Sequence, residues 1–166
     1  KAAECFGNPS SLHGLGIEAE KLINESKKNI ADMLGVESKN ILFTSGGTEA
    51  NNLAVFGVAA ARHKIGTKIV TSKIEHPSVL EAFRKLEIDG FNVEYLDVDS
   101  EGRVDLDMLR NVLDEETILI SVMHVNNDTG VIQPIEEIRK IMLEKAPYAH
   151  LNTDCVQSFG NIDVQP

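Results

Sequence analysis

The sequence predicts an α/β fold of three layers, α-β-α, around a mostly parallel sheet. Short apolar runs alternate with helix-period segments along most of the chain, and parallel neighbours need crossovers of roughly ten or more residues. Hydrophobic residues at 42% and charged residues at 25% match a soluble globular composition. The 166 residues suffice for one hydrophobic core, so residues 1–166 are expected to form a single domain.

The elements follow in order. Leu15, Ala19, Leu22, Ile23, Ile30 and Leu34 recur at helical period, and Gly35 stands where a glycine stop is expected. Ile41 to Thr44 reads as a short strand, followed through Gly46-Gly47 by a helix from Thr48 to about His63. Lys68 to Thr71 is the next strand, Pro77 to Leu86 a helix with proline suited to its first position, and Asn92 to Leu96 a strand. Asp105 to Leu113 is helical, Thr117 to Met123 a buried strand, Pro134 to Glu144 a helix and Ala149 to Thr153 the last strand. Ligands of such sheets sit beyond the carboxyl ends of the strands. Ser45–Glu49, Glu75-His76, His124–Asn127 and Asp154–Gln157 are therefore expected along one edge.

Composition excludes several functions. A net charge of -10 without clustered Lys or Arg argues against nucleic acid as a partner. The longest apolar run, Leu53 to Ala61, is interrupted by Gly57 and falls short of the about 20 residues of a membrane span. Cys5 and Cys155 lie far apart in a chain without a signal-peptide pattern, so a reducing compartment is expected, the cytoplasm or an organelle matrix. Neither cysteines nor histidines show metal-ligand spacing, and there is no P-loop and no G-x-G-x-x-G. The chain opens at Lys1 without an initiator Met and closes at Pro166 directly after a strand pattern. It is read as a piece of a longer protein.

Each polar loop carries two readings. Gly46-Gly47-Thr48 opens a helix, whose free N–H groups and positive dipole end attract phosphate, or it is a glycine turn with Thr48 as N-cap. His76 offers an aromatic face to a planar ring, or caps the helix that follows. His124 ends a buried strand, where it reaches a site or simply packs. Asn126 to Gly130 has the composition of an Asx-type turn. Asp154 closes an apolar strand and needs a cationic or hydrogen-bonding partner to stay ionised, for which a protonated heterocyclic nitrogen serves. Cys155 beside it is a small core residue, its thiol pushed away from reactivity by the carboxylate.

Taken in order, GNPSSLHGLG, TSGGTEANN, EHPSVL, MHVNNDTGVIQPI and TDCVQS resemble the cysteine desulfurase family of pyridoxal-phosphate enzymes, within the class V aminotransferases. The resemblance runs from about Gly7 to Val164. It implies the large, cofactor-binding domain of a fold type I transferase, incomplete here. Gly47 and Thr48 would lie on the phosphate of pyridoxal 5'-phosphate, His76 on its ring and Asp154 on the pyridinium nitrogen. Asn127 and Gln157 would face the phenolic oxygen, and His124 would carry protons.

The implied reaction removes sulfur from L-cysteine, leaving L-alanine and an enzyme persulfide for iron–sulfur cluster assembly or thiolation. A sulfur-acceptor protein and a homodimeric parent are implied with it. The alternatives are a selenocysteine lyase or another class V lyase or aminotransferase, a noncatalytic interaction module, and a nucleotide-binding Rossmann domain, the last weakened by the missing G-x-G-x-x-G. Asp128 stands where the family often has Glu, and Cys155 where it usually has Ala. The family's Schiff-base lysine and persulfide cysteine find no counterpart, since no lysine follows Lys145; Lys73 matches no family role. The chain alone is thus expected to be inactive.

Overall fold

The computed structural model describes residues 5–162; Val164, where the resemblance ends, lies outside them. Two compact units result, one ending at Phe43 and the other beginning at Thr44.

The first unit is built on α1 (Gly14–Leu34) and a single 3₁₀ turn, Ser38–Asn40. The His13 ring caps α1, its Nδ1 accepting from the Gly16 N–H at 3.3 Å. At the other end Gly35 has φ 67°, the left-handed region open to glycine, and the Val36 N–H closes the cap on the Ala31 carbonyl at 3.0 Å. Ala19 and Ala31 are buried, whereas Leu15 is 52% exposed.

The second unit carries α2 (Gly47–Arg62), β1 (Lys68–Ser72), α3 (Pro77–Ile88), β2 (Asn92–Leu96), α4 (Leu106–Val112), β3 (Thr117–Ser121), α5 (Ile135–Lys145) and β4 (His150–Asn152). The strands form one sheet in the order β2-β1-β3-β4, every neighbouring pair parallel. Successive strand residues face opposite sides, so Val70, Leu96 and Ile120 pack with Leu109 and Ile138 under α4 and α5. Ile69 and Leu119 pack with Val55, Val79 and Phe83 under α2 and α3. Three layers follow from these two cores. A register shift between β1 and β3 leaves Ile118 out of the pairing, so that Ile118 and Leu119 reach the same core although adjacent.

The strand expected at Ile41–Thr44 does not form. Leu42 and Phe43 are exposed and join no ladder among the described residues. An apolar run becomes a strand only where a neighbour takes its backbone groups.

Gly66 sits where the chain turns into β1. A Cβ there would lie 2.0 Å from the Glu116 carbonyl oxygen, a backbone atom that cannot swing aside. Gly66→Ala is expected to destabilise the fold by about 1–3 kcal/mol, the usual cost of overpacking. A urea midpoint unchanged from wild type would contradict this.

Candidate ligand site at the carboxyl edge of the sheet

Because β1, β3 and β4 are parallel, their following loops emerge on one edge. Backbone bonds tie them: the His124 N–H donates to the Asp154 carbonyl at 2.9 Å, and the Val122 N–H to the Asn152 carbonyl at 3.1 Å. A cavity of about 250 Å³ opens there, and six of the sequence-predicted residues line it: Gly47, Thr48, His76, Asn127, Asp154 and Gln157. His124 does not. It is half-buried one residue beyond Met123, its backbone held by Asp154 and Gln133. Lys73 also lies outside the lining, exposed and paired with Asp97.

The α2 end of the cavity is shaped by glycine. Gly46, not Thr48, is the N-cap, and it supplies no side-chain acceptor, so the first N–H groups of α2 are left without a side-chain cap among the described residues. Glu49 in that first turn folds back, one carboxylate oxygen accepting both the N–H and the hydroxyl of Ser45 at 2.6 Å. These bonds, the hydroxyl's first, hold the Glu49 carboxyl below its ordinary range. The helix dipole at Gly47 and Thr48 is thereby left for another anion.

His76 caps α3 and Pro77 takes the first helical position, as the spacing predicts. Its Nδ1 accepts the Ser78 N–H at 3.1 Å, which leaves the exposed ring over the cavity. The Asx-type turn also forms: Asn126 Oδ1 accepts the N–H groups of Asp128 at 3.0 Å and Thr129 at 2.9 Å. Asn126 Nδ2 in turn donates to the Ile74 carbonyl at 3.1 Å, clamping this loop to the one before α3. Asn127 is thereby presented on the exposed side.

Asp154 is half-buried and takes two neutral donors. Oδ1 accepts the Val156 N–H and Oδ2 accepts Asn51 Nδ2, both at 2.9 Å. Among the described residues no cation pairs with it. A carboxylate that faces a cleft with hydrogen bonds but no countercharge suits a cationic ligand. Next to it, burial is the main cause that pushes the Cys155 thiol up, with the Asp154 charge a lesser one.

Sequence reasoning missed Asn51 and Ser78, which also line the cavity, and the apolar wall of Met123, Val125 and Val156. Asn51 left a readable signal, because it shares the buried stripe of α2 with Val55 and Ala59 at four-residue spacing. A buried amide on an apolar stripe demands partners. Glu75, expected on this edge beside His76, is instead buried outside the cavity lining. It is 5% exposed, with Oε1 accepting the Ser72 hydroxyl at 2.6 Å and the Met123 N–H at 2.9 Å, while Oε2 has no partner among the described residues.

A parallel α/β domain with its polar groups gathered beyond the strand ends belongs to the ligand-binding class of such sheets. Within that class, the chain belongs to the aminotransferase class-V family, which it matches over residues 2–166. It is 51% identical to the cysteine desulfurase IscS of Dictyoglomus turgidum over 97% of its own length and 40% of that relative. Among solved structures, a NifS-like protein superposes with a TM-score of 0.93 at 40% identity, covering 98% of this chain and 44% of the other. A structure titled SspA in complex with cysteine gives 0.90 at 36% identity, over 98% of this chain and 46% of that one. The chain thus spans about two fifths of the length of the curated relatives it matches.

Proposed function

We propose that the protein carrying this chain is a pyridoxal-phosphate-dependent cysteine desulfurase, and that the cavity between α2 and the strand ends is its cofactor site. One observation carries the reading: in a member of this family, uncapped helix N–H groups, an exposed imidazole and a carboxylate without countercharge face one cavity. The donor set fits the cofactor end to end. Gly47 and Thr48 would hold the phosphate, His76 would lie against the ring, and Asp154 would keep the ring nitrogen protonated. Asn127 and Gln157 would address the phenolic oxygen. Bound there, the cofactor supplies an electron sink for the substrate carbon.

The residues of this chain bind and orient. Met123, Val125 and Val156 line the cavity with apolar surface, which strengthens the charge interactions within it. His124, half-buried between the cavity-lining Met123 and Val125, would serve as a proton carrier. L-Cysteine is the substrate, supported by the cysteine in the SspA complex and by the names of the curated relatives. Its sulfur passes to a thiol elsewhere in the whole protein and on to an acceptor protein, for iron–sulfur cluster assembly or thiolation. The whole protein is read as a homodimer of the cytoplasm or an organelle matrix. No described helix is long and apolar enough to cross a membrane.

Residues 1–166 are read as the central part of the large domain, binding the cofactor noncovalently and without turnover. The purified chain should change the absorbance of added pyridoxal phosphate, keep none covalently after borohydride reduction and form no alanine. The complete enzyme should form alanine from cysteine. Alanine from the chain alone would overturn the first expectation, and a complete enzyme that acts on selenocysteine but not cysteine would overturn the second.

A further inference from the structure

We propose that Asn51 and Ser78 are positioning residues that join Asp154 to His76 in one directional hydrogen-bond chain, and that this chain places the ring proton of His76 on Nε2. The inference rests on the reading of the cavity as the cofactor site, and it goes beyond it by assigning roles to two residues outside the expected contacts.

The direction follows from what each atom is able to do. An ionised carboxylate only accepts, so Asp154 Oδ2 turns the Asn51 amide to present its nitrogen, 2.9 Å away. With the amide flipped, two acceptors would face each other. The same nitrogen lies 2.9 Å from Ser78 Oγ and has a second hydrogen to give. Ser78 Oγ must therefore accept, and its own hydrogen is left for His76 Nδ1 at 2.8 Å. The Ser78 N–H points to the same Nδ1 at 3.1 Å. Two donors converge on Nδ1, so it bears the lone pair, and in the neutral ring Nε2 bears the proton.

The arrangement is built rather than casual. Asn51 is 7% exposed, anchored on the buried stripe of α2, and it joins the N-terminal part of that helix to the first turn of α3 and to the loop after β4. The charge of Asp154 thereby reaches His76 through two neutral side chains. The imidazole plane is held, and its donor is turned away from the α3 backbone. A cofactor ring resting on His76 would meet a ring of fixed tilt and tautomer.

The test reads the tautomer directly and needs no cofactor. In the chain carrying nitrogen-15-labelled histidine, at alkaline pH where imidazole is neutral, the His76 signals are assigned by their loss in His76→Gln. Wild type should show the Nε2–H form in excess. Ser78→Ala should lower the ratio of Nε2–H to Nδ1–H by about fivefold, the worth of one hydrogen bond. Ser78→Thr, which keeps the hydroxyl, should restore the wild-type ratio, and Asn51→Leu should act as Ser78→Ala does. A ratio unchanged in Ser78→Ala, or an Nδ1–H form dominant in wild type, would overturn the inference. Failure to bind pyridoxal phosphate overturns the proposed function, whereas a His76 tautomer indifferent to Ser78 overturns this inference.

Discussion

Asp154→Ala is expected to lower kcat/KM for cysteine in the complete enzyme by about a hundred- to a thousandfold, the usual loss when one preorganised electrostatic group is removed from an active site. The carboxylate is half-buried, and among the described residues it is held by the Val156 N–H and the Asn51 amide alone. Neither donor neutralises it. Its charge is therefore available to a ring nitrogen, and removing it removes the reason for that nitrogen to stay protonated. Asp154→Asn separates charge from shape, since it keeps the volume and one of the two hydrogen bonds. It should be nearly as impaired as Asp154→Ala while retaining cofactor. Rates within a fewfold of wild type for both variants would remove Asp154 from the mechanism.

The layered architecture was readable because the buried strands and helix stripes differ in period. Thr117–Ser121 is buried at every position, as its apolar centre Ile118–Ile120 suggests, and α3 begins at the proline that suits a first turn. Ile41–Thr44 was not readable, because a run of three apolar residues and a threonine looks alike whether or not a neighbouring strand accepts its backbone. The cavity's charged and aromatic residues were visible as polar punctuation after strands. The groups that hold them were hidden for a physical reason. Asn51 and Ser78 matter through partners distant in sequence, Asn51 meeting Asp154 across 103 positions. Glu75 hides beside His76 for the same reason. A Glu-His dipeptide has no burial written in it, and only the fold brings the Met123 N–H to the carboxyl.

That carboxyl should make stability fall as pH rises from the ordinary carboxylate range toward neutrality. Burial pushes Glu75 up from 4.5 to about 7, against the downward pull of its bonds to Ser72 and Met123 and with a smaller upward push from Asp154. Between those two values the folded chain holds a proton that the unfolded chain has released. Stability is therefore full below the unfolded value, declines through the window and levels off above about 7. The drop is on the order of 3 kcal/mol for a rise from 4.5 to about 7. Glu75→Gln stays neutral throughout and keeps a carbonyl oxygen for the Ser72 hydroxyl and the Met123 N–H. The difference in unfolding free energy between wild type and Glu75→Gln, from urea titrations at about pH 5 and about pH 8, should change by that amount, with wild type losing ground at the higher pH. Other titrating groups cancel in the difference, so parallel curves would refute the burial argument. Asp154→Asn should move the window down only slightly, because desolvation, not the neighbouring charge, is the larger cause. Met123 lines the cavity and Ser72 ends the strand that leads to His76, so ionising Glu75 should loosen the two cavity walls that carry Met123 and His76.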